Sequence, residues 1–188
     1  MSEPVSALGG AKTEALVTVE EMAPRGMIVL RGKLDDTAIT GALEKVSGLA
    51  MPGQRGITVD GARRLAWMSP DEAMLILPRG DVSGAQADLT AALAGAHALV
   101  ADLSDARASF RLSGEDAALR EVLARLSPVD MHQTAFGPGM VRRTRLAQVA
   151  GAFWMPEVGV AELVTFRSVA QYAFDLLSVA ARSPRVFA

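Results

Sequence analysis

Asp102 and Asp105 lie three positions apart, with Arg107 just beyond them. Two carboxylates at that spacing could serve general acid–base chemistry, where one group gives a proton and another takes it. A structural use fits the context better. The pair sits between two strand-like runs, and a turn there needs side-chain acceptors for backbone N–H groups. Asp105 is the expected turn former, and Arg107 could pair with either carboxylate or bridge to another chain. Arg142-Arg143-Thr144-Arg145 is the densest basic run. In a strand, successive side chains alternate, so Arg143 and Arg145 share one face and Arg142 takes the other. Such a run suits an anion, a ligand carboxylate, solvent or a subunit interface. Trp67 and Trp154, the only tryptophans, fall at expected strand ends. They are core residues or interface anchors, a role in which tryptophan is enriched.

The remaining reactive residues are few. His97 and His132 are the only histidines, and neither has a His, Asp or Glu partner at metal-motif spacing. Asp130 and His132 form a pair two apart, but no nucleophile follows and no Gly-x-Ser-x-Gly elbow exists. The 17 glycines form neither a Walker loop nor a Gly-x-Gly-x-x-Gly fingerprint. Gly137-Pro138-Gly139 is a tight turn whose proline cannot offer an N–H to an anion. The residues therefore predict no catalytic, cofactor-binding or metal-binding set on this chain.

Composition narrows the classes further. With 188 residues the chain can bury roughly 70% of its unfolded surface and hold a real core. Half of it is hydrophobic and its mean hydropathy is +0.24. Abundant alanine explains this, or an apolar surface covered by a partner. The net charge of −2 argues against a nucleic-acid binder, which needs a strong positive field. The absence of cysteine excludes disulfides, thiolate nucleophiles and cysteine metal sites. No run reaches the ~18 apolar residues of a membrane span, and the first residues lack a basic start and apolar run. The expectation is a soluble, cytoplasmic protein with neither nucleic-acid nor membrane partners.

These residues need elements to position them. Residues 1–20 read as a flexible N-terminal arm. Gly26–Arg31 is a buried strand. Asp36 opens a helix that buries Ile39, Ala42, Leu43 and Val46 and ends at Gly48. Ile57–Val59 and Leu65–Trp67 flank an Asp60-Gly61 hairpin signal, and Ala73–Leu77 is a further strand. Ser83-x-x-Gln86 has capping-box spacing before a helix burying Leu89, Ala92 and Leu93. Strands follow at 97–103 and 109–113. Ser113-x-x-Asp116 resembles a second box, ahead of a helix carrying Leu119, Val122, Leu123 and Leu126. Strands are expected at 141–149, 151–154 and 160–166. Ser168-x-x-Gln171 opens a last helix with Val169, Tyr172, Ala173, Leu176 and Ala180 inward and Arg182 and Arg185 near its end. The order β-α-β-β-β-α-β over 26–104 recurs over 109–181 without its last strand. The fold class is α+β: two related lobes, 21–104 and 105–188, of antiparallel sheet with packed helices, within one domain over 21–188.

A train of short blocks carries a resemblance. Leu49-Ala-Met-Pro52, Trp67-Met-Ser-Pro-Asp-Glu72, Asp102-Leu-Ser-Asp-Ala-Arg107 and Arg111-Leu-Ser-Gly114 are followed by Pro128-Val-Asp-Met-His132 and Phe136-Gly-Pro-Gly139. Thr144-Arg-Leu-Ala-Gln148 and Phe166-Arg-Ser-Val-Ala-Gln-Tyr172 complete the set. In content, order and spacing they resemble the gamma subunit of heterotetrameric sarcosine oxidase. One departure is Ala73-Met-Leu75, where the family usually has a tryptophan and two leucines. The resemblance implies a fold similar to the folate-binding domain of aminomethyltransferases. It implies a noncatalytic chain that stabilises the alpha subunit within an alpha, beta, gamma and delta assembly. That complex demethylates sarcosine to glycine, yielding formaldehyde or 5,10-methylenetetrahydrofolate and hydrogen peroxide. FAD, FMN, NAD, tetrahydrofolate and zinc would sit on the partner chains, and none on this one. Trp67, Arg107, Arg142, Arg143, Arg145 and Trp154 are the candidate interface residues. The alternative is an independent folate-binding, aminomethyltransferase-like protein, which needs an acidic folate anchor in a central cavity.

Overall fold

The computed structural model describes residues 4–183, so Arg185 lies outside them. The chain divides into two compact units. One is the contiguous stretch Arg25–Ser104; the other combines the N-terminal residues through Pro24 with Asp105 onward.

In the contiguous unit, β3 (Gly26–Arg31) is followed by α1 (Thr37–Ser47), β4 (Ile57–Asp60), β5 (Arg63–Ser69), β6 (Glu72–Leu77), α2 (Val82–Ala92) and β7 (Leu99–Asp102). The five strands run in the order β4-β5-β6-β3-β7, with every neighbour antiparallel. Helix α1 forms where its caps dictate. The Asp36 carboxylate accepts the Ala38 N–H at its start, and Gly48 closes it at φ 73, a left-handed turn that glycine adopts without Cβ strain. Ile39, Ala42 and Leu43 of α1 and Val82, Ala85 and Leu89 of α2 pack on Ile28, Leu30, Leu65 and Leu75 of the sheet. Arg31 and Glu72, paired in register, form an ion pair at 2.6 Å with Glu72 buried.

The second unit repeats this plan with its parts displaced along the chain. After β1 (Lys12–Thr13) and β2 (Val17–Glu21) come, past the first unit, β8 (Arg107–Gly114), α3 (Asp116–Leu126), β9 (Val141–Leu146), β10 (Val149–Glu157), β11 (Val160–Phe166) and α4 (Ala170–Arg182). Its strand order is β9-β10-β11-β8-β2-β1. Its first five strands match β4-β5-β6-β3-β7 in turn, and β1 is a sixth without a counterpart. Residues 17–21 thus fill, beside β8 and antiparallel to it, the slot that β7 fills beside β3. The strand missing from the end of the second repeat is supplied by the start of the chain.

For residues 4–20 this corrects the expectation of a flexible arm over 1–20; residues 1–3 lie outside the described residues. Val17, Val19 and Glu21 are all buried, the two valines within the core of this unit. Full burial of each valine contributes about 1.5–3 kcal/mol at most. The Glu21 carboxylate accepts the N–H groups of Leu8, at 3.0 Å, and Gly10, at 2.8 Å. Arg167 reaches the Ser6 carbonyl, Arg182 the Thr13 hydroxyl, and the Leu16 N–H the Ala181 carbonyl. Leu119, Val122 and Leu123 of α3 and Ala173, Leu177 and Ala181 of α4 close the core over Phe110, Leu112, Phe153 and Leu163.

Several boundaries differ from the sequence expectations. The two strands expected at 151–154 and before it are one hairpin, with β9 ending at Leu146 and β10 running from Val149. None of the three capping boxes forms. Ser113 lies in β8, while single 3-10 turns at Arg79–Asp81 and Arg167–Val169 lead into α2 and α4. That lead-in resets the phase of α4. Ala170, Ala173, Leu177, Ala180 and Ala181 point inward, and Tyr172 is exposed. Ala92 is likewise exposed, and His97 precedes β7 instead of opening it.

Candidate functional site

The six residues singled out by sequence fall into different environments. Trp154 is 1% exposed and sits in β10 between Val141 and Glu162 in register. Trp67, half-buried in β5, faces Ala73 across the β5–β6 pair and donates its backbone N–H to Gly56. The sheet pleat explains this pair: both tryptophans are strand residues with cross-strand neighbours.

Arg107 lies in register with Phe166, and its guanidinium carbon is 4.0 Å from that ring's centroid. At that distance the cation meets the negative face of the ring. In the Asp-x-x-Asp turn the Asp102 carboxylate accepts the Ser104 N–H, at 2.9 Å, and the Ser104 hydroxyl. The Ser104 oxygen in turn accepts the Met27 N–H at 2.9 Å. The hydroxyl two residues past Asp102 lets one carboxylate bind both hydrogens.

The basic run divides as its alternation requires. Arg143 and Arg145 are exposed on one face of β9. Arg145 donates to the Gln148 side-chain oxygen at 2.8 Å. Arg142 turns the other way. It donates to the carbonyls of Val141, at 3.0 Å, and Ala135, with its guanidinium carbon 5.3 Å from the Phe136 ring centroid. Phe136 also meets Phe153 edge to face at 5.3 Å.

Arg120 was missed by sequence reasoning. It donates to the Asp116 carboxylate at 2.7 Å and to the carbonyls of Met131, at 2.8 Å, and Phe136, at 2.7 Å. Burial of Asp116 works against its charged form. The hydrogen bond and charge of Arg120, aided by Gln133 and the Gly159 N–H, outweigh that and hold the carboxyl below its ordinary value. The Asp116–Arg120 spacing of four on a helix was the available signal. Together Arg120 and Arg142 capture the carbonyls of residues 131, 135 and 136, so the long segment between α3 and β9 has a fixed course. It ends in the Gly137-Pro138-Gly139 turn, where Pro138 bridges to Met155.

His132 is exposed in that segment. Its Nδ1 lies 2.9 Å from the Thr134 hydroxyl, and its backbone N–H donates to Asp130. Among the described residues no group of three or more His, Cys, Asp or Glu is arranged to hold a metal ion. No helix among them is long and apolar enough to cross a membrane.

A family model described as the sarcosine oxidase gamma subunit family matches residues 31–183. A sarcosine oxidase subunit gamma from Arthrobacter sp is 34% identical over 150 residues, 79% of this chain and 71% of that relative. Another, from Corynebacterium sp. (strain P-1), is 37% identical over 116 residues, 60% of this chain and 55% of that relative. A chain of the heterotetrameric sarcosine oxidase from Corynebacterium sp. U-96 in complex with pyrrole 2-carboxylate superimposes with a TM-score of 0.80. Its identity is 26%, covering 95% of this chain and 91% of that one. Aminomethyltransferase T of the glycine cleavage system from Bartonella henselae shares the fold. Its TM-score is 0.57 at 18% identity, covering 90% of this chain and 50% of that one. The protein is thus an α+β protein of aminomethyltransferase-like fold. It belongs to the sarcosine oxidase gamma subunit family.

Proposed function

We propose that this chain is a noncatalytic, stabilising subunit of a heterotetrameric sarcosine oxidase. The match to a chain of such an enzyme over nearly its whole length carries the reading. In it, oxidative demethylation of sarcosine takes place on the partner chains, which hold the flavins, nicotinamide, folate and zinc. The alpha subunit is the direct neighbour. The use of charge in this chain supports a structural role. Arg120, Arg142 and Glu21 spend their side chains on backbone groups of the same chain, which gives a rigid surface for other subunits to rest on.

The test is affinity capture of the tagged chain from its native cells, followed by the visible spectrum and sarcosine-dependent peroxide production. A yellow, multi-subunit complex that oxidises sarcosine is expected. A colourless monomer that binds tetrahydrofolate overturns the proposal in favour of an independent folate-binding protein.

A further inference from the structure

We propose that strand β9, the end strand of its sheet, receives an acidic, extended segment of a partner subunit through its backbone and through Arg143 and Arg145. The proposal rests on the reading of the chain as a subunit.

β9 ends the strand order of its sheet. It pairs with β10 from Val141 to Leu146 without a register shift and contains no proline. The turn between them holds two residues, Ala147 and Gln148. In such a hairpin the flanking residues, here Leu146 and Val149, exchange both backbone hydrogen bonds, and opposed pairs then alternate along the ladder. Arg145, opposite Ala150, Arg143, opposite Ala152, and Val141, opposite Trp154, are therefore the residues whose N–H and C=O groups point away from β10, and the Val141 carbonyl is already taken by Arg142. Arg143 and Arg145 also carry exposed guanidinium groups. Backbone groups for a new ladder and charge for selecting its occupant coincide at the same positions. This is the arrangement by which an open sheet edge takes up an extended segment.

Charge settles which segment. Residues 141–155 contain three arginines and no Asp or Glu, in a chain whose net charge is −2. Arg142 spends its charge on the 135–141 loop, while Arg145 faces a neutral acceptor in Gln148. At the opposite end of the sheet, β1 has only two residues, and Lys12 there is paired with Glu14 at 2.7 Å. A second copy of β9 would bring like charge against like and be repelled, as charged edge strands ensure. An acidic strand gains attraction and register at once.

The experiment uses the assembled complex. Tagged wild-type chain, R143E/R145E and R143Q/R145Q are each expressed in the native cells and captured. Hydrogen exchange is then followed at the amides of residues 141–146. The wild type is expected to bring down its partners, with the Arg143 and Arg145 amides protected. Charge reversal is expected to reduce co-purified partner about tenfold, and the neutral variant less. Added salt should release the wild-type partner progressively. If the wild type captures partners and R143E/R145E captures as much, the edge proposal falls while the subunit reading stands. It falls equally if the wild-type complex leaves the Arg143 and Arg145 amides exchanging like open loop, a result independent of how any variant folds. If the wild type captures no partner, the subunit reading falls and takes the edge proposal with it.

Discussion

Arg120, in the second turn of α3, donates a hydrogen bond to the Phe136 carbonyl oxygen at 2.7 Å, joining a helix to a loop residue 16 positions away. The same side chain holds Asp116 and Met131, so with Arg142 it organises the approach to β9. Its side chain is only 11% exposed. Arg120→Met keeps the aliphatic stem and removes every donor. The two carbonyls then lose the Arg120 donors in a largely dry site, and the carboxylate keeps only Gln133 and the Gly159 N–H, at a cost of about 2–4 kcal/mol. Denaturant unfolding should show that loss, with faster amide exchange across 127–140.

Asp116 makes the same region sensitive to acid. Its carboxyl titrates below the ordinary value in the folded chain. A depressed folded value means the contribution is complete above the unfolded value, about 3.9, and is lost as pH falls through the folded one. Stability should decline with acidification from about pH 4 downward. Asp116→Asn should be less stable at neutral pH and should show a flatter acid limb. Unfolding midpoints from pH 2 to 7 for both proteins decide the matter; parallel acid limbs would refute it.

Glu21 ties down the first residues. Its buried carboxylate accepts the N–H groups of Leu8 and Gly10. In Glu21→Gln an amide NH2 replaces one acceptor and faces a donor. A loss of about 1–3 kcal/mol is expected, felt first at the tie itself. Limited proteolysis should cut the variant within residues 4–13 much faster than the wild type, while sites in 25–104 remain equally resistant.

Ala147 opens the β9–β10 turn at φ 48, a left-handed conformation that costs a residue with a Cβ about 1–2 kcal/mol. Ala147→Gly removes that strain but adds freedom to the unfolded chain, worth about 0.5–1 kcal/mol. The net expectation is a gain of up to about 1 kcal/mol, read as a higher unfolding midpoint. A lower midpoint would mean that the alanine methyl is held by contacts worth more than the strain.

Some of this molecule could be read from its residues and some could not. Helix α1 was legible because Asp36 and Gly48 act locally, each satisfying groups within a few residues of itself. Arg143 and Arg145 were legible because strand alternation is a local rule. The three capping boxes misled because the spacing of a serine and an acid or amide is common, and a preceding 3-10 turn had already set the starts of α2 and α4. β2 was missed because nothing near it announces its partner. Val17-Thr-Val-Glu-Glu21 does alternate, yet its last inward position is a glutamate, whose acceptors are used by the backbone N–H groups of Leu8 and Gly10. Arg120 was overlooked because its acceptors are carbonyl oxygens, which leave no trace in side-chain sequence.

The slot filled by β2 sets an order on synthesis. Val19 pairs with Leu112, so β2 leaves the ribosome roughly 90 residues before β8 exists, and a loop of that length must close to seat it. The stretch Arg25–Ser104 needs no such wait, since all its strands are contiguous, and domains tend to form as they emerge. The nascent chain therefore carries a Val-x-Val strand with no neighbour but β1 while Arg25–Ser104 is folding. Chaperone dependence and failed expression should concentrate in that interval.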